Sequence, residues 1–273
     1  MKKILEAVRG NVPLVHFITN YVTVNDVANM ELACGGSPIM SDEVLDVEDI
    51  TSICNATVIN IGTLNKNTIE GMLAAGKKAN ELGHPVILDP VGAGASKLRT
   101  ETTFKLLKEI KFAVIRGNIS EIKTVYSGSG TTQGVDADVA DVVTDDNLKE
   151  TVDFAKKLSK TTGAIIAITG AIDIIADADH AYITKNGVAA MSKITGTGCM
   201  LDGVIAAYLA ANPEQPLKAV VAAIAAEGLC GEFAAKKVSA EGSGTSSLRM
   251  YLIDAMSNLD GDTLEKGAKV SEV

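Results

Sequence analysis

The sequence predicts an α/β fold built on a mainly parallel central sheet, and three observations predict it. Short β-branched runs alternate with longer stretches of helical spacing, the signature of βαβ units with right-handed crossovers. Ala, Val, Ile and Gly dominate, with 47% apolar residues, 4% aromatic residues and no Trp. Such a composition suits strands buried on both faces beneath closely packed helices. Polar residues and glycines gather where the strand runs end, and ligands of open α/β sheets bind beyond those ends.

The elements follow in order. The residues after Met1 carry charges at helical spacing and contain no signal-peptide core. Thr57–Ile61 reads as a strand ending at Gly62, and Asn65–Leu82 as a helix stopped by Gly83. Pro85–Leu88 is a second strand that runs into Asp89-Pro90-Val91-Gly92-Ala93-Gly94, and Thr100–Lys108 is helical. Phe112–Ile115 is a third strand, closed by Arg116-Gly117-Asn118, with a helix from about Ser120. Ser127–Asp141, with Gly128, Gly130 and Gly134, reads as a loop. Asn147–Lys160 is a helix and Ala164–Ile168 a fourth strand, closed by Thr169-Gly170. Ile174-Ile175 and Ala181–Ile183 flank a polar segment and read as antiparallel strands. The last third is nearly all helical, and the charged tail after Asp262 reads as frayed. Residues 217 to 235 are rich in Ala and Val, but Lys218, Glu227 and Glu232 interrupt them, as in a buried helix rather than a membrane span. No linker and no repeat divides the chain, so residues 1–273 are expected to form one domain.

Charge and cysteine usage exclude several classes. A formal net charge of −9 argues against a general binder of nucleic acid or anionic membranes. It leaves room for a nucleotide, because backbone amides and a metal can recognise phosphate locally. Cys34, Cys54, Cys199 and Cys230 are widely spaced, which fits neither a disulfide framework nor a zinc ribbon. A cytoplasmic protein is expected. His16, His84 and His180 show no ligand spacing and no Ser-His-Asp arrangement.

The densest signal is Lys193-Ile194-Thr195-Gly196-Thr197-Gly198-Cys199, which opens onto the small apolar run Val204–Ala211. A tight glycine turn feeding a helix leaves unpartnered amides and a favourable dipole, a corner suited to phosphate. Gly196 and Gly198 would form an anion hole for a phosphoryl group in flight, or would simply let helix and sheet approach. The spacing is neither a Walker A motif nor the dinucleotide fingerprint, and the latter rules out a hydride-transferring Rossmann enzyme. Asp89, at a strand end before two glycines, either orients a metal bound to phosphates or closes a turn. Asn118 followed by Glu121 has the spacing of a helix capping box, and a second reading puts Glu121 near Mg²⁺ through water with Arg116 on a phosphate. Thr169 can donate to a phosphate or cap its turn. Asn25, Asn29 and the Ser37–Met40 stretch mix amides with apolar residues, which suits a small uncharged heterocycle, although caps and turns explain them nearly as well.

Taken together the motifs resemble the hydroxyethylthiazole kinase family. The resemblance runs from Pro13–Asn20 through Asn60–Leu64, Ile87–Ala95, Ile115–Asn118, Gly134–Asp136 and Ala167–Gly170 to Lys193–Cys199. Ile119-Ser120 departs slightly from the commoner Ala-Ala or Ala-Ser. The resemblance implies a ribokinase-like three-layer sandwich, with helices on both faces of the sheet. It implies a homotrimer with active sites between subunits. It further implies transfer of a phosphoryl group from ATP to the hydroxyl of 4-methyl-5-(2-hydroxyethyl)thiazole. By motif, Arg116 and Thr169 would contact ATP, Asp89 and Glu121 would lie near Mg²⁺, and Met40, Gly196 and Asn25 would contact the thiazole. Cys199 takes the position that is an Asp in sugar kinases of the wider superfamily, and it is either a weak general base or a residue that shapes the site. Catalysis would rest on Cys199, Gly196 and Gly198. Two further readings stay open: another small-alcohol kinase of the same fold, and a non-catalytic nucleotide sensor.

Overall fold

The computed structural model describes residues 1–127 and 142–273. The proposed loop at Ser127–Asp141, apart from its first residue, and the Gly134–Asp136 motif lie outside the described residues. Among the described residues the elements run α1 (Lys2–Asn11), β1 (Leu14–Ile18), α2 (Val24–Cys34), β2 (Ser37–Met40), α3 (Val47–Ile53), β3 (Ala56–Asn60), α4 (Lys66–Leu82), β4 (Val86–Asp89), α5 (Lys97–Glu109), β5 (Val114–Gly117) and α6 (Ile119–Ser127). They continue with α7 (Leu148–Thr162), β6 (Ile165–Ile168), β7 (Asp173–Ala176), β8 (Ala181–Thr184), a 3-10 turn at Ala189–Lys193, α8 (Thr197–Ala211), α9 (Pro216–Glu241), α10 (Thr245–Asn258), α11 (Gly261–Gly267) and β9 (Val270–Glu272).

The sheet order is β2-β1-β3-β4-β5-β6-β7-β8-β9. Strands β2 through β6 in that order are parallel, and β7, β8 and β9 are antiparallel. Alternate residues of each strand feed opposite cores, as a pleated strand requires. Ile87 and Val114 pack with α1, α2, α8 and α9, while Leu88 and Ile115 pack with α4 to α7. That is the expected three-layer sandwich. No helix among the described residues is long and apolar enough to cross a membrane.

Two expectations need correction. The tail after Asp262 is not frayed. Asp260 caps α11 by accepting from the Thr263 amide, and β9 pairs with β8 from Tyr182↔Glu272 to Thr184↔Val270. Its charged residues lie on an edge strand, where one side faces water. The Ser37–Met40 stretch, read above as amides mixed with apolar residues, is a strand, and with Leu14–Ile18, for which no element is predicted above, it forms one end of the sheet.

The chain enters β1, steps out to β2 and returns to β3 on the far side of β1. The direction of progression therefore reverses between β1 and β3, which opens a crevice beyond their carboxyl ends. The six parallel strands deliver Met40, Asn20, Asn60, Asp89, Arg116 and Thr169, in spatial order, to that one edge.

Candidate active site

The glycine corner sits over this row. Gly196 takes the left-handed conformation at φ 88° as N-cap of α8, a geometry that any side chain would strain. A Cβ there would also meet Thr23 Cγ2 at 2.5 Å. No side chain caps α8, so its first amides are left for a ligand. Gly198 is needed for a different reason: a Cβ would meet Arg116 Nη1 at 2.7 Å. The Arg116 guanidinium therefore lies directly against the corner.

Beneath it is a buried ionic cluster. Arg116 Nη2 donates to Asp89 Oδ2 at 2.7 Å and Nε donates to Asp202 Oδ1 at 2.8 Å. Asn60 Nδ2 donates to the same Asp89 oxygen at 2.6 Å and lies 3.3 Å from Asp202 Oδ2. Burial works against the charge on Arg116, but Asp202 and Asp89 hold it on. Burial pushes Asp89 well above the usual carboxylate range; Arg116 opposes this, and Asp202 adds to it.

Cys199 Sγ sits at the mouth of the cluster, 3.3 Å from the side-chain amides of both Asn20 and Asn60. Asn20 is itself fixed, because its Oδ1 accepts from the Thr23 amide and hydroxyl, each at 3.1 Å. Burial raises the thiol, as does Asp202, while Arg116, Thr23 and Asn20 pull it down without restoring its ordinary value. At neutral pH the group is a thiol.

Glu121 performs the capping role that its spacing predicts. Its Oε2 accepts from the Asn118 amide at 2.8 Å, and the Glu121 amide donates to Asn118 Oδ1 at 2.9 Å. It also reaches outside its helix, since Oε1 accepts from the Gly92 amide at 2.8 Å. Burial raises this carboxyl, with the Gly92 and Asn118 amides opposing. The cap and the Asp89–Gly94 loop are thus one unit. Arg99 secures the loop from the other side by donating to the Val91 and Gly62 carbonyls.

The metal implied by the resemblance can be tested against these donors. Asp89 Oδ1 is buried and has no hydrogen-bond partner among the described residues, and the Glu121 carboxylate, from the first turn of α6, lies against the Asp89–Gly94 loop. No cluster of three acidic, His or Cys side chains forms a closed metal cage among the described residues. An orphaned carboxylate oxygen without a cage fits a hydrated Mg²⁺, which keeps most of its waters and leans on substrate phosphates.

Two cavities flank the corner. One, of about 470 Å³, runs from Thr197 and Gly198 past Thr169 and Gly170 to Val188 and Met191. The other, of about 190 Å³, is lined by Phe17, Thr19, Val24, Met40 and their neighbours. The long cleft opens at the uncapped helix start itself, and the small pocket, in which Ser41, Asp42, Asn65 and Thr68 join Phe17, Val24 and Met40, borders the Asn20–Thr23 turn that touches Cys199 and faces Gly196. Asn25 is not brought to either cavity: it is exposed on α2, where it accepts from the Asn29 side-chain amide. His16 is buried and held between Thr51 Oγ1 and the Ser41 carbonyl, behind Met40.

Asp202 and Asn60 are the members of this site that motif reading did not single out. Asp202 lies three residues after Cys199, just ahead of the run Val204–Ala211 read for its small apolar residues. A carboxylate on an otherwise apolar buried helix was the available signal.

An uncapped, glycine-built helix start over parallel strand ends, opening onto a long cleft, is the arrangement of a kinase of the ribokinase-like fold, and the comparisons with known proteins agree. A ribokinase-like superfamily protein from Enterococcus faecalis, 14% identical, matches with a TM-score of 0.63 over 96% of this chain and 95% of its own, a likeness of fold alone. The Hydroxyethylthiazole kinase family model matches residues 5–262. The hydroxyethylthiazole kinase of Clostridium acetobutylicum is 61% identical over 269 residues, 98% of each chain. The structure of the hydroxyethylthiazole kinase protein from Pyrococcus horikoshii matches with a TM-score of 0.87 and 34% identity over the whole of both chains. The chain belongs to the hydroxyethylthiazole kinase family.

Proposed function

We propose that this chain transfers the γ-phosphoryl group of ATP to the primary hydroxyl of 4-methyl-5-(2-hydroxyethyl)thiazole, a step of thiamine salvage. The observation that carries the proposal is the uncapped α8 start at the mouth of a long cleft, with a small pocket of mixed polar and apolar lining nearby at Thr19, Val24 and Met40. Phosphoryl transfer demands positioning and charge neutralisation more than covalent chemistry. The amides at Gly196–Cys199 would hold the transferring oxygens, and Thr169, at the cleft wall, would donate to a phosphate. Arg116, held rigid by Asp89 and Asp202, supplies positive charge immediately under Gly198. Asp89 and Glu121 would hold a hydrated Mg²⁺, which when bound neutralises phosphate charge. Met40 and Gly196 would border the thiazole. With Cys199 a thiol, its proposed part is to shape the site and accept from Asn20 and Asn60, and a loose transition state lets the hydroxyl proton leave late.

The homotrimer belongs to the same proposal. Tyr21, Val22 and Leu45 are 79%, 58% and 89% exposed, and they lie close in sequence to the residues of the small pocket. A neighbouring subunit covering them would close that pocket and bring Asn25 toward a substrate. Light scattering should give three chains per particle. A cytoplasmic location fits the absence of any membrane-length apolar helix among the described residues.

The test is a phosphorylation panel with purified protein, ATP and Mg²⁺. The thiazole alcohol should be turned over in preference to a pyrimidine alcohol and to ribose. Preference for a sugar would overturn the substrate assignment, and ATP binding without any phosphorylated product would make the protein a sensor.

A further inference from the structure

Glu227 stands apart in the long cleft. It is 3% exposed, lines the cleft, and its Oε1 is buried with no hydrogen-bond partner among the described residues. A buried carboxyl normally finds donors. Its neighbour Asp173 shows the contrast: Oδ1 accepts from the Gly170 amide at 3.0 Å and Oδ2 from the Thr184 hydroxyl at 3.3 Å. Asp173 is spent on the protein, and Glu227 is not.

The position of Glu227 along the cleft indicates what it meets. Gly228 and Gly231 of α9 pack against Asn186 and Met191, at the apolar end of the cleft. Glu227 precedes Gly228 on α9 and lines the same cleft as Thr197, Gly198 and Leu201 of the corner and Asp173 beside Gly170. It therefore lies between the phosphate-binding corner and the apolar wall formed by Val188 and Met191. In a nucleoside triphosphate whose phosphates lie at the corner and whose base lies on the apolar wall, the sugar occupies that interval. A carboxyl there is a poor neighbour for phosphate and a good acceptor for hydroxyls. Leaving such a group unpaired costs more than pairing it gains, which favours a ligand carrying the missing donor.

We propose that Glu227 is a specificity-determining residue for the phosphoryl donor: its carboxyl accepts a hydrogen bond from a ribose hydroxyl of the nucleoside triphosphate in the cleft, so that the protein selects ribonucleotides over their deoxy forms. The proposal rests on the kinase reading for the identity of the cleft, and not on the thiazole as acceptor.

The experiment measures binding of ATP, 2′-deoxyATP and 3′-deoxyATP by calorimetry to the wild type, Glu227→Gln and Glu227→Met, followed by KM values with the thiazole alcohol. The wild type should bind ATP about tenfold or more tightly than at least one deoxy analogue, the size of one well-formed hydrogen bond in a buried site. Glu227→Met should bring that ratio close to one and raise the KM for ATP, with the KM for the alcohol following the wild type. Glu227→Gln, which keeps a carbonyl acceptor, should retain part of the preference. Equal binding of all three nucleotides by the wild type overturns the proposal, even if a variant fails to fold. So does an undiminished preference in Glu227→Met. Ribose-selective binding without thiazole phosphorylation would remove the acceptor assignment and leave this one standing. Phosphorylation indifferent to the sugar hydroxyls would do the reverse.

Discussion

Arg116→Met offers the sharpest test of what holds the site together. The substitution keeps a long unbranched side chain and removes the cation that bonds to both Asp89 and Asp202. Both carboxylates are almost completely buried, at 1% and 0% exposure, so water cannot replace the guanidinium. Removing one partner of a buried ion pair costs about 3–5 kcal/mol. An unfolding entropy of about 2.1 cal/mol/K per residue over 273 residues is about 0.6 kcal/mol/K, so the melting temperature should fall by about 5–9 °C. Circular dichroism is the suitable probe, since the chain has no Trp. The deficit should be larger at pH 8 than at pH 5, because burial already holds Asp89 above the usual carboxylate range and the lost guanidinium was what opposed that rise. Adding Asp202→Leu to Arg116→Met should return part of the loss, because one stranded acid is gone and the remaining one can stay neutral. A single variant that melts within 2 °C of the wild type at pH 8, or a double variant that loses the sum of both changes, would refute a buried cluster organised by Arg116.

Four further outcomes are expected. Gly196→Ala combines a left-handed φ with a clash on Thr23, so turnover should fall by about two orders of magnitude or more through loss of the anion corner; steady-state kinetics at matched folded fraction checks it. Cys199→Ala should keep turnover within about tenfold, because the thiol is held protonated, whereas a loss of two or more orders would restore a general-base role. Burial raises Asp173 to about 7, against the Gly170 and Thr184 hydrogen bonds. Folded-state stability from this group is therefore full below the ordinary carboxyl value and is lost as pH rises toward about 7, whereas charge appears in the cleft only around pH 7, where the KM for ATP should begin to climb; Asp173→Asn should flatten both profiles. Glu31 is fully buried against Gly36 and Gly203 with both oxygens unpaired among the described residues, and burial raises it well above the usual range. Stability should fall as pH rises above the ordinary carboxyl value, by up to about 1.4 kcal/mol per pH unit, so Glu31→Met should gain on the wild type in urea midpoints at pH 8 and not at pH 4.5.

The sequence made the βαβ core legible because each crossover carries its own punctuation. Gly83 ends α4 in the left-handed conformation, and the Asn118–Glu121 spacing becomes the reciprocal cap seen in the structure. The first two strands were harder to read because their informative residues, His16 and Ser37–Met40, are polar or partly exposed and sit at one end of the sheet. The tail misled through its charge, since local composition does not reveal that β8 awaits an edge partner. Within the site, residues at strand ends and glycine turns were readable from chain position. Asp202 and Glu227 were not, because each lies in the interior of an apolar helix where sequence alone registers an interruption. Lys218, Glu227 and Glu232 interrupt the same helix, yet only Glu227 is buried. Which of the three faces the cleft is decided by how α9 packs.

The central claim is that a phosphoryl group and a hydroxyl meet over Gly196–Cys199. A crystal structure with a non-hydrolysable ATP analogue, Mg²⁺ and the thiazole alcohol tests it most directly. The account predicts the γ-phosphate on the amides of Gly196–Cys199, with the alcohol oxygen about 3–3.5 Å away in the small pocket beside Met40. Phosphates bound elsewhere in the fold, or an alcohol bound out of reach of that corner, would contradict it.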